Sequence, residues 1–158
     1  LLGDLFKCVL AMLIVKLAFG GTYQDHIALL TMYGAAGCIL GHNFPFFLRF
    51  KGGKGVACSV GMAAVFDWRI LLICAVVFFT LFFWKHYVSL CSLTVYAVAL
   101  ILVIVFGQMG SYHMSPSYNY ELYILMALLT ALCYYRHRAN ISRLIKGTES
   151  KIFLSKKN

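Results

Sequence analysis

A short glycine–lysine segment carries the residue types in this chain that are best suited to holding a phosphate group. Three glycines and two lysines occupy the five positions from Lys51 to Gly55. Glycines permit backbone conformations closed to other residues, so successive N–H groups can face an oxyanion. Gly55 also starts an apolar helical segment, whose N-terminus adds positive partial charge to that of Lys51 and Lys54. The segment predicts an anion-binding loop, and a flexible basic turn is the alternative that it leaves open.

This loop is not a nucleotide-binding P-loop. The spacing GxxxxGK[ST] is absent, and Val56 follows Gly55 where a magnesium-binding hydroxyl would stand. The phosphate chemistry predicted here therefore does not include a bound magnesium ion.

A second polar segment, residues 136–151, follows the last apolar stretch. If the last helix continues into it, His137, Asn140 and Leu144 share a face, and a stripe contains Arg136, Asn140 and Arg143. A helix that leaves the membrane with these side chains aligned is suited to close over a phosphate. The alternative is an ordinary positive-inside anchor, which does not need Asn140 or Glu149.

Composition indicates an integral membrane protein. The chain is 62% hydrophobic and 12% charged, with a mean hydropathy of +0.84. Its 14 Lys+Arg outnumber its 5 Asp+Glu, and such an excess usually faces the cytoplasm. No basic run mixed with aromatics lies outside the apolar stretches, which argues against nucleic-acid binding. The six cysteines are scattered without metal-ligand spacing, so no metal is predicted.

Apolar length and loop charge predict six membrane segments. They cover about residues 3–20, 27–41, 55–66, 70–84, 87–106 and 120–135. A charged interruption at 67–69 divides 55–84, which could otherwise form one long helix. Two passes place the glycine–lysine loop and the basic tail on one side, and the Lys/Arg-free loops 20–26 and 107–119 on the other. We therefore predict an all-α bundle of six membrane helices with a cytoplasmic C-terminus, and Arg69 as a lone positive charge outside.

The chain is predicted to be a single membrane domain, residues 1–158. A cytoplasmic glycine–lysine loop lies at 42–55 and a basic cytoplasmic tail at 136–158. Leu1 stands within an apolar stretch, so the sequence is expected to be truncated at its N-terminus. Asp4 and Lys7 are expected to pair at i, i+3, and a GxxxG step at Gly37 predicts close helix packing.

Two long motifs resemble a known family. Residues 41–57, GHNFPFFLRFKGGKGVA, resemble the second signature of the bacterial acyl-phosphate:glycerol-3-phosphate acyltransferases, the PlsY family. Residues 137–151, HRANISRLIKGTESK, resemble the third signature of that family. The family's first signature, which precedes these two, is absent here, in keeping with the expected truncation. Cys58 stands where the family often has Thr.

The resemblance implies a fold and a reaction. The family fold is a bundle of seven membrane helices, six of which remain after the first is removed. The implied reaction transfers a fatty acyl group from acyl phosphate to the 1-hydroxyl of glycerol 3-phosphate, giving lysophosphatidic acid and phosphate without a cofactor. It places the active site at the cytoplasmic side of a bacterial cytoplasmic membrane. The implied partners are both substrates, membrane lipids and the upstream acyl-phosphate-forming enzyme. The absence of the first signature leaves an inactive chain as an alternative.

The site residues follow from the two motifs. The catalytic candidates are Lys54, His137 and Asn140, and the substrate-binding candidates are His42, Lys51, Gly52, Gly53, Gly55, Arg143, Gly147, Glu149 and Lys151. The glycine loop is expected to hold one phosphate, with Lys54 offsetting charge on the leaving phosphate. Arg143 and Lys151 are expected to hold the second phosphate. His137 and Asn140 would orient the attacking hydroxyl or the carbonyl.

Two other classes of function compete with this interpretation. A small transporter or channel for a phosphorylated anion would also have a basic cytoplasmic mouth, although such pathways usually place polar groups near mid-membrane. A non-catalytic lipid-binding scaffold would need no more than the polybasic tail. The scaffold predicts that bulkier residues are tolerated at Gly52 and Gly53, whereas the acyltransferase predicts that they are not.

Overall fold

A computed structural model describes residues 2–153 of the chain. Within that range it contains seven α-helices, one 3₁₀ turn and no strand, which confirms the all-α prediction. The helices are α1 (Leu2–Phe19), α2 (Ile27–Asn43), α3 (Val56–Phe66), α4 (Trp68–Lys85), α5 (Val88–Gln108), α6 (Pro116–Arg136) and α7 (Arg138–Ile145). Residues 154–158 of the predicted basic tail lie outside the described residues.

Helices α1 to α6 alternate in direction between two ends of the bundle. At one end, which we call the loop end, α2 passes through the glycine–lysine loop into α3, and α6 passes into α7. At the opposite end the rings of His26 and Tyr118 are 4.5 Å apart, which joins the start of α2 to the start of α6. Phe66, at the end of α3, lies 5.0 Å from Tyr112 beyond α5. The polar motifs of the sequence therefore gather at the loop end.

The predicted interruption between α3 and α4 is present. Asp67 separates the two helices and caps α4, accepting a 3.0 Å hydrogen bond from the backbone N–H of Arg69. The Arg69 guanidinium returns to the same carboxylate at 2.6 Å and covers the ring of Phe106 at 4.3 Å. Arg69, the one positive charge predicted for the outer side, is therefore paired with the capping residue two positions earlier.

Three of the described helices are long and apolar enough to cross a membrane. These segments are Ile27–Leu48, which is α2 together with the 3₁₀ turn that follows it, Trp68–Lys85 (α4) and Val88–Gln108 (α5). Of the three, α5 has the highest mean hydropathy, 2.7. Helix α3 is equally apolar in character but has only 11 residues. Length and composition alone thus indicate a membrane protein.

Close packing of small residues joins α1 to α3. A Cβ atom at Gly61 would lie 2.5 Å from the carbonyl oxygen of Leu5, so the two backbones touch there. The expectation of close packing at the Gly37 GxxxG step is wrong, since open space surrounds Cβ positions at both Gly37 and Gly41. The effect of the real contact is to hold α1 against the helix that the glycine–lysine loop begins.

Candidate active site

The chain reverses sharply after α2. A 3₁₀ turn at Phe46–Leu48 leads into two consecutive left-handed residues, Arg49 with φ 51° and Phe50 with φ 60°. The Phe50 N–H closes the turn with a 3.0 Å hydrogen bond to the carbonyl of Pro45. This reversal carries the glycines back along the end of α2.

The first two glycines of the loop bind to α2 through their backbone. The N–H of Gly52 donates to the carbonyl of Asn43, and the N–H of Gly53 donates to the carbonyl of His42, both at 3.2 Å. The last carbonyls of a helix have no partner inside it, and these two N–H groups satisfy them. The expectation that the Gly52 and Gly53 N–H groups face an oxyanion is therefore wrong.

The start of α3 has a backbone geometry that suits an anion. Gly55 caps this helix in a left-handed conformation with φ 80°, and a Cβ atom there would lie 2.9 Å from the Asn43 amide oxygen. From Val56 onward the first N–H groups of α3 have no partner within the helix. Lys54 immediately precedes this N-terminus, so a full positive charge and the helix dipole lie together.

Arg136 ties the end of α6 to the loop. Its Nη2 donates to the carbonyl oxygens of Gly52 at 2.6 Å and Gly53 at 2.9 Å, and its guanidinium lies 5.1 Å from the centre of the Phe44 ring. Its Nε also donates to Gly53 at 3.2 Å, and a planar guanidinium held by several such bonds fixes geometry as well as charge. The sequence-based candidates omitted Arg136, which stands one residue before the third motif.

A chain of hydrogen bonds connects the two motifs. Lys54 Nζ donates to Asn140 Oδ1 at 2.6 Å, and Asn140 Nδ2 donates to Glu149 Oε1 at 2.6 Å. Glu149 also accepts 2.6 Å hydrogen bonds from Arg143 Nε and from Ser89 Oγ at the start of α5. Four predicted site residues therefore meet in one cluster, and Ser89 joins them from a part of the sequence that gave no signal.

Two groups in this cluster, Glu149 and Lys54, have pKa values below their ordinary ones. Burial alone would raise the pKa of Glu149, but the hydrogen bonds from Ser89, Asn140 and Arg143 outweigh it and lower that pKa from 4.5 to about 2. Burial lowers the pKa of Lys54, and the positive charge of Arg143 lowers it further, while Glu149 raises it. The cluster therefore combines an ionised carboxylate with an ammonium group whose pKa lies below its ordinary value.

His137 lies buried between α6 and α7, 2% exposed. Its Nδ1 lies 2.9 Å from the Cys133 carbonyl, so the proton sits on Nδ1 and Nε2 remains an acceptor. Burial lowers the pKa of His137, the Cys133 hydrogen bond opposes that shift, and the nearby charge of Lys54 reinforces it. The imidazole is thus held neutral beside the cluster, as a hydrogen-bond acceptor rather than a cation.

An apolar groove begins where the polar cluster ends. Its cavity of about 510 Å³ lies among α3, α4 and α5, with Met126 of α6 also lining it. Val56, two residues after Lys54, and Val88, one residue before Ser89, both line it. Of the described residues around it, the polar ones are Ser59, Ser92 and Tyr96, and the rest are apolar. A polar cluster that contains several cations therefore lies next to an apolar groove.

The sequence matches the family model described as glycerol-3-phosphate acyltransferase over residues 1–147. The chain belongs to the glycerol-3-phosphate acyltransferase family. That membership confirms the resemblance of the two motifs, since both the loop and most of the tail fall within the matched range.

Individual relatives agree. A glycerol-3-phosphate acyltransferase of Bacillus cereus (strain G9842) is 42% identical over 120 residues, which cover 75% of this chain and 54% of the relative. Crystal structures of PlsY (YgiH), an integral membrane glycerol 3-phosphate acyltransferase, superpose with a TM-score of 0.78 at 32% identity. They were solved in lysophosphatidic acid and glycerol 3-phosphate forms, and the match covers 95% of this chain and 69% and 68% of those chains. This chain spans about half the length of the Bacillus relative.

The remaining candidates of this family member occupy several positions around the cluster. The His42 ring lies against Gly53, and Gly147 makes a left-handed turn with φ 68° after α7. Lys51 is exposed. The Lys151 ammonium lies 5.5 Å from the centre of the Tyr87 ring. Their roles toward substrate remain predictions.

Helix α6 does not continue unbroken into the tail. It ends at Arg136, and α7 begins after His137. The expected alignment of the tail therefore holds for Asn140 and Arg143, which both reach Glu149, while Arg136 turns to the loop. The short break at His137 is what lets neighbouring side chains serve two different parts of the site.

Proposed function

We propose that this chain carries the catalytic centre of an enzyme that transfers a fatty acyl group from acyl phosphate to the 1-hydroxyl of glycerol 3-phosphate. The products are lysophosphatidic acid and inorganic phosphate. The observation that carries the proposal is the hydrogen-bonded path from Lys54 through Asn140 to Glu149, at the mouth of an apolar groove. A lipid-soluble donor with a phosphate head needs both parts side by side.

The donor phosphate is assigned to Lys54 and the start of α3. As the glycerol oxygen attacks the acyl carbon, the bond from that carbon to the phosphate oxygen breaks, and negative charge grows on the leaving phosphate. Lys54 and the α3 N-terminus stabilise that charge where it develops. A phosphate oxygen of the donor accepts the proton of the attacking hydroxyl, so no strong protein base is required.

The acceptor is assigned to the tail side of the cluster. Arg143 uses Nε for Glu149, which leaves its two terminal nitrogens for a phosphate oxygen, and Lys151 is the second cation nearby. The unprotonated Nε2 of His137 can orient the attacking hydroxyl by accepting its hydrogen bond before attack, and that proton passes to the donor phosphate as the new ester bond forms. Asn140, held between Lys54 and Glu149, fixes the donor-phosphate side of the cluster relative to the acceptor side.

The acyl chain is assigned to the groove. From Val88 to Ala99 the groove follows α5 for about 16 Å at ~1.5 Å per residue. That is about half of a ~30 Å hydrocarbon core, so the groove reaches roughly the depth of one leaflet. The donor can then present its phosphate at the surface while its chain stays in an apolar environment.

The membrane arrangement follows from charge. We assign α1 to α6 to six membrane segments, with the loop end and the C-terminal tail on the cytoplasmic side of the bacterial cytoplasmic membrane. The Lys/Arg-rich segments at the loop end support this orientation. This assignment includes α3, although it has only 11 residues.

The test is conversion of labelled glycerol 3-phosphate to lysophosphatidic acid in membranes that contain the protein expressed from its complete reading frame. We expect product with acyl phosphate and none with acyl-CoA, and loss of product in Lys54→Met. Activity with acyl-CoA, or no product from a folded protein, would contradict the proposal. Accumulation of unconverted glycerol 3-phosphate inside sealed vesicles would favour the transport alternative.

A further inference from the structure

A second polar cluster lies behind the glycine–lysine loop, away from the Glu149 cluster. Lys7 Nζ donates to Asp4 Oδ1 at 2.9 Å, which confirms the predicted i, i+3 pair. The same ammonium lies 2.9 Å from Nδ1 of His42 at the end of α2, and Asp4 Oδ1 is 3.2 Å from that nitrogen. Helix α1 therefore contacts the loop through one imidazole ring.

These contacts determine where His42 carries its proton. A lysine ammonium has three donors and no acceptor, so Nδ1 is the acceptor in its 2.9 Å contact with Lys7, whereas the other tautomer would donate from Nδ1 to Asp4 at 3.2 Å. The shorter contact with Lys7 favours the tautomer that carries its proton on Nε2. Asp4 accepts from the same ammonium and so keeps it directed at the ring.

The opposite edge of the ring supports the loop. A Cβ atom at Gly53 would come within 2.1 Å of His42 Nε2, so the imidazole packs directly on this glycine. The backbone of Gly53 is held by the His42 carbonyl on one side and by Arg136 on the other. Gly53 is the residue immediately before Lys54, so displacement of the ring moves the base of the lysine that reaches Asn140.

We infer that Lys7, directed by Asp4, is a positioning residue that acts through His42 to fix the loop and hence the Lys54 ammonium. As a half-exposed ion pair the Asp4–Lys7 contact alone would contribute little to folding. Its effect lies in selecting one tautomer and one orientation of His42. In its catalytic consequence this inference rests on the proposed acyltransferase function.

A double-mutant cycle tests the path of action. Lys7→Met should lower kcat by about ten- to hundred-fold with little change in KM for glycerol 3-phosphate, because it misplaces Lys54 without removing a substrate contact. Lys7→Arg, which retains a donor, should recover part of that loss. In a His42→Ala background, Lys7→Met should have no further effect. Lys16→Met is the matched control on α1, since Lys16 bonds the Val65 carbonyl at 3.3 Å instead.

Additive losses in the cycle, or an equal loss in Lys16→Met, would overturn the inference. A readout independent of activity is nitrogen NMR of the histidine rings, with the His42 signals assigned by their disappearance in His42→Ala. We expect the tautomer protonated on Nε2 in the wild type and a shift toward the other tautomer in Lys7→Met. An unchanged tautomer would overturn the inference even if no acyltransferase activity were found. The expected shift without any conversion would retain the ring assignment and reject the proposed function alone.

Discussion

The ammonium group of Lys54 lies 2.6 Å from the amide oxygen of Asn140, a residue 86 positions later in the chain. One belongs to the loop after α2 and the other to the short helix after α6. Asn140 passes the contact on to Glu149 with its other amide atom. Because one asparagine serves both partners, a change at any member of this path should be felt by the others.

Removal of the Lys54 charge should abolish most turnover. We expect Lys54→Met to lower kcat by about 10²–10³, the usual effect of losing one donor that stabilises developing charge. Conversion of labelled glycerol 3-phosphate is the measurement. Lys146→Met, an exposed lysine just beyond α7, is the matched control and should retain activity. Similar losses in both variants would show that only total charge matters.

The pKa of Lys54 should set a basic limb in the pH profile. Burial and the neighbouring arginines lower the pKa of Lys54 below its ordinary value of 10.5. We expect kcat/KM to fall as the pH rises through this lowered pKa, because Lys54 then loses its positive charge. Glu149 opposes the shift. In Glu149→Gln the pKa of Lys54 should therefore fall further, and the limb should move to lower pH.

The matched control for that experiment is Glu121→Gln, because Glu121 lies at the opposite end of the bundle and accepts a hydrogen bond from Tyr33. Its pH profile should coincide with that of the wild type. A limb that stays in place in Glu149→Gln would contradict the electrostatic coupling between Glu149 and Lys54.

Glu149 should also make the tail sensitive to acid. Its pKa is about 2 in the folded protein against 4.5 ordinarily, so its stabilising effect is complete above pH 4.5 and is lost as pH falls toward 2. We expect hydrogen exchange in α7 to accelerate over this range. In Glu149→Gln exchange should be fast already at pH 7. Protection that is equal in both proteins at pH 7 would show that other contacts order the tail.

Gly55 should tolerate substitution by alanine less well than Gly110, another glycine with a positive φ. Both Gly55 (φ 80°) and Gly110 (φ 75°) are left-handed, which costs a residue with a Cβ about 1–2 kcal/mol. A Cβ at Gly55 would also press on Asn43, whereas Gly110 has open space. We expect Gly110→Ala to lower thermal stability slightly and keep activity, and Gly55→Ala to lose activity as well. Equal activities would contradict the assigned role of the α3 N-terminus.

The groove should discriminate between donor chains. Ala99 is 7% exposed and lines its deep part, so Ala99→Phe should lower kcat/KM for long-chain acyl phosphates by about ten-fold or more, and for short chains less. Ile101→Phe is the control on α5, because Ile101 is 59% exposed. An equal effect on all chain lengths in Ala99→Phe would place the acyl chain elsewhere.

The sequence by itself determined the class of protein and most members of the candidate site. Apolar length and composition indicated an all-α membrane protein, the charged interruption located the break at Asp67, and two motifs named the family that the comparison confirms. Such features are local: a run of apolar residues, a cap or a motif can be identified without knowing how the chain packs. Lys54, Asn140, Arg143 and Glu149 were found in this way.

Tertiary structure decided which groups meet. Ser89 stands in an ordinary helix start and Arg136 in a basic tail, and only the packing of α5 and α6 beside the loop gives them partners. In the same packing, the N–H groups of Gly52 and Gly53 donate hydrogen bonds to carbonyl groups at the end of α2 and are not free for an anion. A hydrogen bond requires two atoms within about 3 Å, and the positions of residues far apart in sequence depend on how whole helices pack.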